Sequence, residues 1–200
     1  MPDMDRRRIL QGALGVGALG TLAGPRAALA GQGNHEYRWD IINNQGACAE
    51  AGGHASSKSR DGARITVTGS GTFRDNPGNP QDVTGGGHWT ITAGTATPAG
   101  EGDYEVTRFI SFDLPPGTAP LPAVDCIGDL EDRRPGRLTV AIAYDDGSEG
   151  VLEVGCRLVG SPASVMEGIT ATKGYVTFWN HEEPVGPGVE GNRTLFHLLR

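Results

Sequence analysis

The sequence predicts an all-β fold, an antiparallel β-barrel with long polar loops, from three observations. Several segments of strand length alternate apolar with polar residues, as a strand with one buried face does. Glycines and prolines, 32 and 13 in number, separate these segments at hairpin-like spacing. No segment has a clear helical repeat. A two-sheet β-sandwich is the alternative, and glycines inside the long strands favour the barrel.

The stretch 64–92 is the centre of this prediction. In 64–74, one parity holds the apolar and glycine residues Ile65, Val67, Gly69, Gly71 and Phe73. Glycines on an apolar parity predict a bend or a close approach of another backbone. A loop at 75–82, rich in Gly, Pro, Asn and Asp, leads to a second strand that starts at the glycines 85–87. We interpret 64–92 as a bent strand pair.

Segments on either side of this pair add further strands. A first short strand is predicted at 37–42, and the rest of 31–63 has no clear periodicity and is interpreted as loop. The next strand covers 103–114 and has Tyr104, Arg108, Ile110 and Phe112 on one parity. We therefore expect Arg108 to face the interior, where it would pair with a ligand carboxylate or with a structural acid such as Glu153 or Glu167.

The C-terminal half contains the clearest hairpin, 137–144 and 150–159, joined by the Asp-Asp-Gly-Ser turn 145–148. The run 165–180 is interpreted as one long strand with bends at Gly168 and Gly174, and a short helix at 164–168 is the local alternative. A last strand covers 192–199. The count is seven or eight strands in a single domain, residues 31–200.

Residues 1–30 have the pattern of an export signal. Asp5-Arg6-Arg7-Arg8-Ile9-Leu10-Gln11 resembles the twin-arginine consensus, and a mild apolar run follows it. Ala28-Leu29-Ala30 is an A-x-A cleavage site, so we expect the mature chain to begin at Gly31. The apolar run is too short and too rich in glycine to span a bilayer. We expect export by the twin-arginine route, to a secreted, cell-wall or periplasmic location, with no membrane span in the mature chain.

The charge of the mature chain excludes two classes of partner. Residues 1–30 hold four arginines and two aspartates, which leaves 13 basic against 22 acidic residues, a net charge of −9. Such a balance argues against nucleic acid and against anionic membrane surfaces as partners. The composition says nothing about oligomeric state.

Three cysteines remain after the cleavage site: Cys48, Cys126 and Cys156. Cys156 alternates with Leu152, Val154 and Leu158, so it should point into the core. Two alternatives follow. Cys126 and Cys156 form a disulfide after export, or Cys156 is a buried free thiol.

Three segments carry a resemblance to a known group of proteins: Gly69-Ser-Gly-Thr-Phe73, Thr84-Gly-Gly-Gly-His-Trp89 and 168–180. They resemble those of uncharacterised exported proteins of actinobacterial type, which implies export and no particular activity. The G-x-G-x-F strand with its glycine-rich loop is similar to the allene oxide cyclase and dirigent barrels, and generically to lipocalin-like barrels. That resemblance implies a barrel, and no catalytic residue of those families falls on a position here.

Candidate site residues come from the strand ends and from the strand 103–114. His88 and His181 each lie beside a tryptophan-bearing strand, and they are the best metal-ligand candidates among histidines that show no zinc-type spacing. The full set of ligand-binding candidates is His88, Trp89, Glu105, Arg108, Tyr175 and His181. No nucleophile elbow and no phosphate loop is present. The sequence implies no cofactor strongly, and the cofactor stays unknown.

Four functional hypotheses follow, and the fourth is a structural or inhibitor-like domain without a pocket. The first is an exported barrel that binds a small, partly apolar molecule in its interior or mouth, where Gly69, Gly71, Thr90, Ala141 and Ala143 would leave room. The second is a barrel enzyme of the cyclase or isomerase type, with Glu105, Arg108, His88 or Tyr175 around the substrate. The third is a metal-binding extracytoplasmic protein that uses His88 and His181. The sequence leaves open whether the protein is an enzyme.

Overall fold

A computed structural model describes residues 34–44, 46–115, 124–184 and 191–200. The expected export signal, 1–30, lies outside the described residues. The fold is all-β, 55% strand and 2% helix, with a closed eight-stranded antiparallel barrel and extra strands outside the ring. The predicted fold class is therefore confirmed. No helix in the described ranges has the length and apolar character to cross a bilayer.

The described ranges contain thirteen strands and one 3-10 helix, Leu130–Asp132. In chain order the strands are β1 (Glu36–Asn43), β2 (Glu50–Ala51), β3 (Ala55–Ser59), β4 (Arg64–Val67), β5 (Ser70–Arg74), β6 (Gly86–Thr92), β7 (Gly100–Asp113), β8 (Arg133–Arg134), β9 (Gly136–Tyr144), β10 (Glu149–Cys156), β11 (Gly168–Lys173), β12 (Val176–His181) and β13 (Thr194–Leu198).

The ring runs β4-β3-β12-β11-β10-β9-β7-β6 and closes where β6 pairs with β4, with Ile65 opposite Ile91. Every pair in the ring is antiparallel. Closure satisfies the backbone groups that an open sheet would leave at its edges.

The strands β5-β1-β13-β8 continue the sheet beyond the ring from β6, where Ser70 of β5 pairs with Gly86, and β2 pairs with β1. We call these strands outside the ring the second sheet. It shares a chain segment with the barrel, because β4 and β5 are successive parts of the predicted strand 64–74. The strand leaves the ring at Gly69, where a Cβ atom would lie 2.3 Å from the Tyr104 hydroxyl and 3.0 Å from the Trp39 ring. The predicted bend is confirmed at Gly69. The predicted close approach of another backbone is confirmed at Gly71, where a Cβ atom would lie 2.2 Å from the Thr84 carbonyl oxygen.

The barrel interior is filled. All eight ring strands contribute side chains to one buried cluster, which includes Ile65, Val154 and Phe178, each 0% exposed. The residues expected to leave room do not do so. Ala141 and Ala143 alternate with inward Val140 and Ile142 and therefore lie on the outer side of β9.

An aromatic cluster joins the second sheet to one end of the barrel. Phe73 of β5 stacks on Phe109 of β7 and lies 4.9 Å, ring centroid to centroid, from Phe112. Phe112 in turn contacts Tyr37 and Phe196 of the second sheet. Aromatic pairs at these distances add stabilisation beyond the area that they bury.

Two irregularities in β7 overturn the predicted orientation of Arg108. The register between β7 and β9 shifts between Val106 and Arg108, and again between Phe109 and Ser111. Each extra residue in a strand reverses which face the following side chains occupy. Phe109 is consequently buried and Arg108 is exposed, so the expectation of an inward-facing arginine is wrong.

Two other segments also differ from the prediction. The run 165–180 is a hairpin, β11 and β12, and not one strand, because Gly174 takes a φ of 54° and reverses the chain. Its Gly168 has a φ of 103°, and no helix forms at 164–168. Within the segment assigned to loop, β2 and β3 form, and β3 completes the ring between β4 and β12.

The disulfide joins Cys48 to Cys126, so the Cys126–Cys156 alternative is wrong. Cys156 is the buried free thiol of the other alternative, since its side chain faces the barrel core from β10. Cys126 lies instead in the segment that covers the second sheet. The carboxylate of its neighbour Asp125 accepts hydrogen bonds from Arg133 Nε at 2.5 Å and from His197 Nε2 at 2.9 Å.

Candidate ligand site at the barrel mouth

All four hairpin turns of the ring lie at one end of the barrel: 60–63, 93–99, 145–148 and 174–175. The second sheet packs at the opposite end, where Thr194 of β13 donates to the Gly155 carbonyl of β10. The barrel therefore has one covered end and one end formed by turns, which we call the mouth.

Carboxylates tie the turns of the mouth together. Asp61 accepts the backbone N–H groups of Ala96 and Thr97, at 3.0 and 2.7 Å, and so links the turn 60–63 to the turn 93–99. A hydrogen bond from the Ser59 hydroxyl, followed by these N–H groups, holds the pKa of Asp61 well below its usual range. Asp145 accepts the Trp89 indole N–H at 3.3 Å. Hydrogen bonds therefore fix the turns of the mouth relative to one another.

A pocket of about 290 Å³ opens at the mouth. Its walls are mostly apolar or small and belong to β6, β7, the turns and β12, including Trp89, Ile91, Pro98, Ala99, Tyr175 and Val176. Its polar groups come from Asp146, Ser148 and Lys173. A concave, largely apolar pocket with a few convergent polar groups is the usual form of a small-molecule site.

Lys173 is the unusual residue of this pocket. It follows Ile169 and Ala171 on the inward parity of β11, and its side chain is only 10% exposed. The Nζ atom lies 4.5 Å from the centroid of the Trp89 ring and 4.6 Å from that of Tyr144. Two aromatic faces thus stabilise an ammonium group that has lost most of its water.

The same ammonium group has two polar partners on the turn 145–148. It forms an ion pair with Asp146 and donates to Ser148 Oγ at 2.7 Å. The hydrogen bond from Lys173, together with those from Ser148, lowers the pKa of Asp146 to about 2. Asp146 is therefore ionised throughout the neutral range and keeps Lys173 in place at the pocket wall.

The structure brings two of the six predicted ligand-binding residues into the mouth: Trp89, whose ring is buried, and Tyr175, which is 98% exposed at the rim. His88 points to the outer side of β6 and pairs with Asp103 at 3.1 Å. Glu105 and Arg108 are exposed on β7. His181 lies at the far end of β12 and contacts Glu183 at 3.1 Å.

The two histidines proposed as metal ligands lie on β6 and β12, which β4 and β3 separate in the ring. Each ring instead pairs with its own carboxylate, Asp103 or Glu183. Among the described residues, three potential ligand atoms gather within 4.8 Å only at Cys48, Glu50 and Cys126. Both cysteines of that group are in the disulfide, so their sulfur atoms are not thiolate ligands.

Sequence reasoning missed Lys173 and Asp146. A usable signal existed for the lysine, because it continues the alternation of Ile169 and Ala171. A lysine on an apolar parity at a strand end indicates a charged group beside the core.

The fold and the mouth together define a β-barrel protein with a small pocket that combines apolar walls with one ion pair, that of Lys173 and Asp146. No protein-family model matches the chain, and comparisons with curated proteins and with solved structures returned no match. The resemblances to exported proteins and to cyclase, dirigent and lipocalin-like barrels therefore stay predictions.

Proposed function

We propose that this protein is an exported β-barrel that binds a small, partly apolar molecule in its mouth. The observation that carries the proposal is the Lys173 ammonium group beside the Trp89 ring in a largely apolar pocket, where Asp146 and Ser148 are its polar neighbours. Such a pair suits a ligand with an aromatic or aliphatic body and one carboxylate or other acceptor group. The body would pack on Trp89 and Tyr175, and the acceptor would bind the ammonium group.

The size of the pocket limits the ligand. About 290 Å³ is just below the usual range for small-molecule sites, about 300–1,000 Å³. A ligand of about a dozen non-hydrogen atoms, at about 0.3 kcal/mol per atom, would bind with a Kd on the order of 1 mM, and a better match would bind more tightly.

Export rests on the sequence pattern of residues 1–30 and is supported by the Cys48–Cys126 disulfide. Disulfides persist in oxidising compartments outside the cytosol and are rare within it. In a chain that crosses the membrane already folded, this bond would form after export.

Binding is favoured over cyclase or isomerase chemistry. The enzyme hypothesis requires polar groups that converge on a substrate. Glu105 and Arg108 are exposed on the outside of β7, and His88 faces away from the mouth. Of the residues in that hypothesis, Tyr175 alone lines the pocket.

Naphthoate is a suitable probe, because it combines a fused aromatic body with one carboxylate. We would measure its binding to the exported protein by chemical-shift changes, with uncharged naphthalene methanol as the comparison ligand. Tyr175→Ala should weaken naphthoate binding several-fold, since it removes a wall of the pocket. Trp179→Ala is the matched control, because Trp179 is a 61% exposed aromatic residue on the same hairpin that does not line the mouth.

Lys173→Met tests the cation, since it keeps most of the apolar stem. It should remove the preference for naphthoate over the uncharged analogue and leave binding of the analogue nearly unchanged. Equal effects of Tyr175→Ala and Trp179→Ala, or shift changes that map away from Trp89, would refute a ligand site at the mouth.

A further inference from the structure

A second pocket lies at the covered end of the barrel, away from the mouth. It has a volume of about 250 Å³ and is bounded by the ends of β1, β10 and β13. Three arginines line it, Arg133, Arg157 and Arg193, together with Glu167, Glu183 and Thr194. We call it the arginine pocket.

Arg133 has an unsatisfied donor. Its side chain is 2% exposed, and its Nε donates to Asp125 at 2.5 Å. Its Nη2 is buried and has no hydrogen-bond partner within the described part of the chain. A buried guanidinium N–H without a partner is costly, so native proteins usually supply one.

The acids around the pocket already have partners. The Glu167 carboxylate accepts the backbone N–H groups of Arg157 at 2.6 Å and of Thr194 at 3.0 Å. Glu183 accepts from the Arg157 guanidinium at 3.0 Å and contacts His181. These contacts use the carboxylate oxygens within the protein, whereas each guanidinium has five N–H donors.

Arg157 is the exposed arginine of this pocket. Its side chain is 37% exposed, and its partner Glu183 is 55% exposed, so the pair lies at the solvent side. An exposed ion pair of this kind contributes little to stability and can exchange partners readily. Arg157 is therefore able to turn from Glu183 to an entering anion.

We propose that the arginine pocket binds a small oxyanion, a phosphate or a compact carboxylate. Planar guanidinium groups bind both through paired N–H···O hydrogen bonds, and they lose less on desolvation than ammonium groups do. The three guanidinium groups in the lining suit a compact anion, whereas the mostly apolar walls of the mouth suit a fused ring system. This site is independent of the proposed function of the mouth.

The test uses the exported protein with its disulfide, titrated with inorganic phosphate and, separately, with malonate, at ionic strength held constant with chloride. Binding would be followed by chemical shifts of the backbone N–H groups of Arg157 and Thr194. We expect saturable shifts at these two amides with at least one anion. The anion that binds more tightly identifies phosphate or carboxylate as the ligand class.

Arg157→Gln should weaken the binding at least tenfold. Arg137→Gln is the matched control: Arg137 is 52% exposed and paired with Asp113, and it does not line the arginine pocket. Equal weakening by both substitutions would mean an adventitious ion only and would overturn the proposal. The absence of saturable shifts with either anion in the wild-type protein would mean that the pocket holds water alone.

Cross-tests separate the two sites. Tyr175→Ala should leave phosphate or malonate binding unchanged, and Arg157→Gln should leave naphthoate binding at the mouth unchanged. Failure of one proposal therefore does not imply failure of the other.

Discussion

Removal of the Cys48–Cys126 disulfide should cost a large part of the stability of this domain. The bond closes a loop of 78 residues that contains all of β2 to β7. In the chain-entropy account, such a cross-link stabilises the native state by restricting the unfolded chain, and longer loops give larger effects. For this separation the expected loss is about 4.5 kcal/mol at ~25 °C.

The structure adds a local contribution to this estimate. Cys126 follows Asp125, whose side chain is 1% exposed and paired with Arg133 and His197. Without the bond to Cys48, the segment around Cys126 would hold the buried Asp125 carboxylate less firmly against Arg133 and His197. The Cys48→Ser/Cys126→Ser double variant should therefore lose at least as much free energy as the loop alone predicts.

Urea unfolding of the wild-type and double-variant proteins measures the difference. The denaturant slope m should rise in the variant, because its unfolded chain is more expanded. Cys156→Ala is the control for loss of a cysteine without loss of a cross-link. Its removal of one buried sulfur atom should cost about 1 kcal/mol, comparable to one methylene group.

A loss below about 1 kcal/mol in the double variant, with m unchanged, would refute the reasoning, because disulfide stabilisation usually lies near 2–4 kcal/mol. Thiol titration of the unfolded, unreduced protein provides a separate check. One reactive thiol is expected before reduction, that of Cys156, and three after it.

Three further predictions concern pH, the strand bend and the β7 irregularities. Burial raises the pKa of Glu167 to about 7, above its ordinary 4.5, so between these pH values the native state holds a proton that the unfolded state has lost. The free energy of unfolding should therefore fall by about 3 kcal/mol as pH rises from about 4.5 through 7. Glu167→Gln should flatten this pH profile, measured by urea unfolding. Gly69→Ala should cost about 2–3 kcal/mol, since its Cβ atom would overlap the Tyr104 hydroxyl, whereas Gly46→Ala, with its nearest atom at 3.9 Å, should change stability by less than about 0.5 kcal/mol. In thermal unfolding, Phe109→Ala should cost about 3–5 kcal/mol of stability and Arg108→Ala close to nothing. A larger loss for Arg108→Ala than for Phe109→Ala would contradict the two irregularities in β7 and mean that Arg108 faces the core.

Local patterns predicted those elements whose pairing is local. The hairpin of β9 and β10 has strict alternation from Leu138 to Tyr144, and Gly147 takes the positive φ, 83°, that its turn requires. The pair β4 and β6 was equally predictable from the sequence, because glycines mark both the bend and the start of the returning strand. In these cases the residues themselves carry the information.

Strand pairing between segments distant in sequence could not be predicted from local patterns. β3 reads Ala-Ser-Ser-Lys-Ser and has no apolar alternation, and it is a strand because β4 and β12 pair with it on either side. Its buried Ser56 is satisfied by the Thr66 hydroxyl and by Asn192, ten and 136 residues away in sequence. The shifts in β7 likewise depend on its register with β9. Arg108 was misplaced for that reason, and with it part of the predicted site.

The candidate site was predicted in part. Trp89 and Tyr175 were named from strand ends and aromatic character, and both line the mouth. Lys173 and Asp146 were not predicted as site residues, because their ion pair forms only where two hairpin turns meet at the end of the barrel. The arginine pocket depends in the same way on chain segments that are remote in sequence, from Ile42 to Leu195.

The strand shared by the barrel and the second sheet has a consequence for how the molecule opens. β4 belongs to the ring and β5 to the outer sheet, and only Thr68 and Gly69 lie between them. If β4 separated from the barrel, β5 would be pulled from the second sheet, and the converse holds as well. The two sheets should therefore behave as one cooperative unit, and the most protected amide hydrogens of β1 and β4 should exchange with solvent only through global unfolding, at one common free energy.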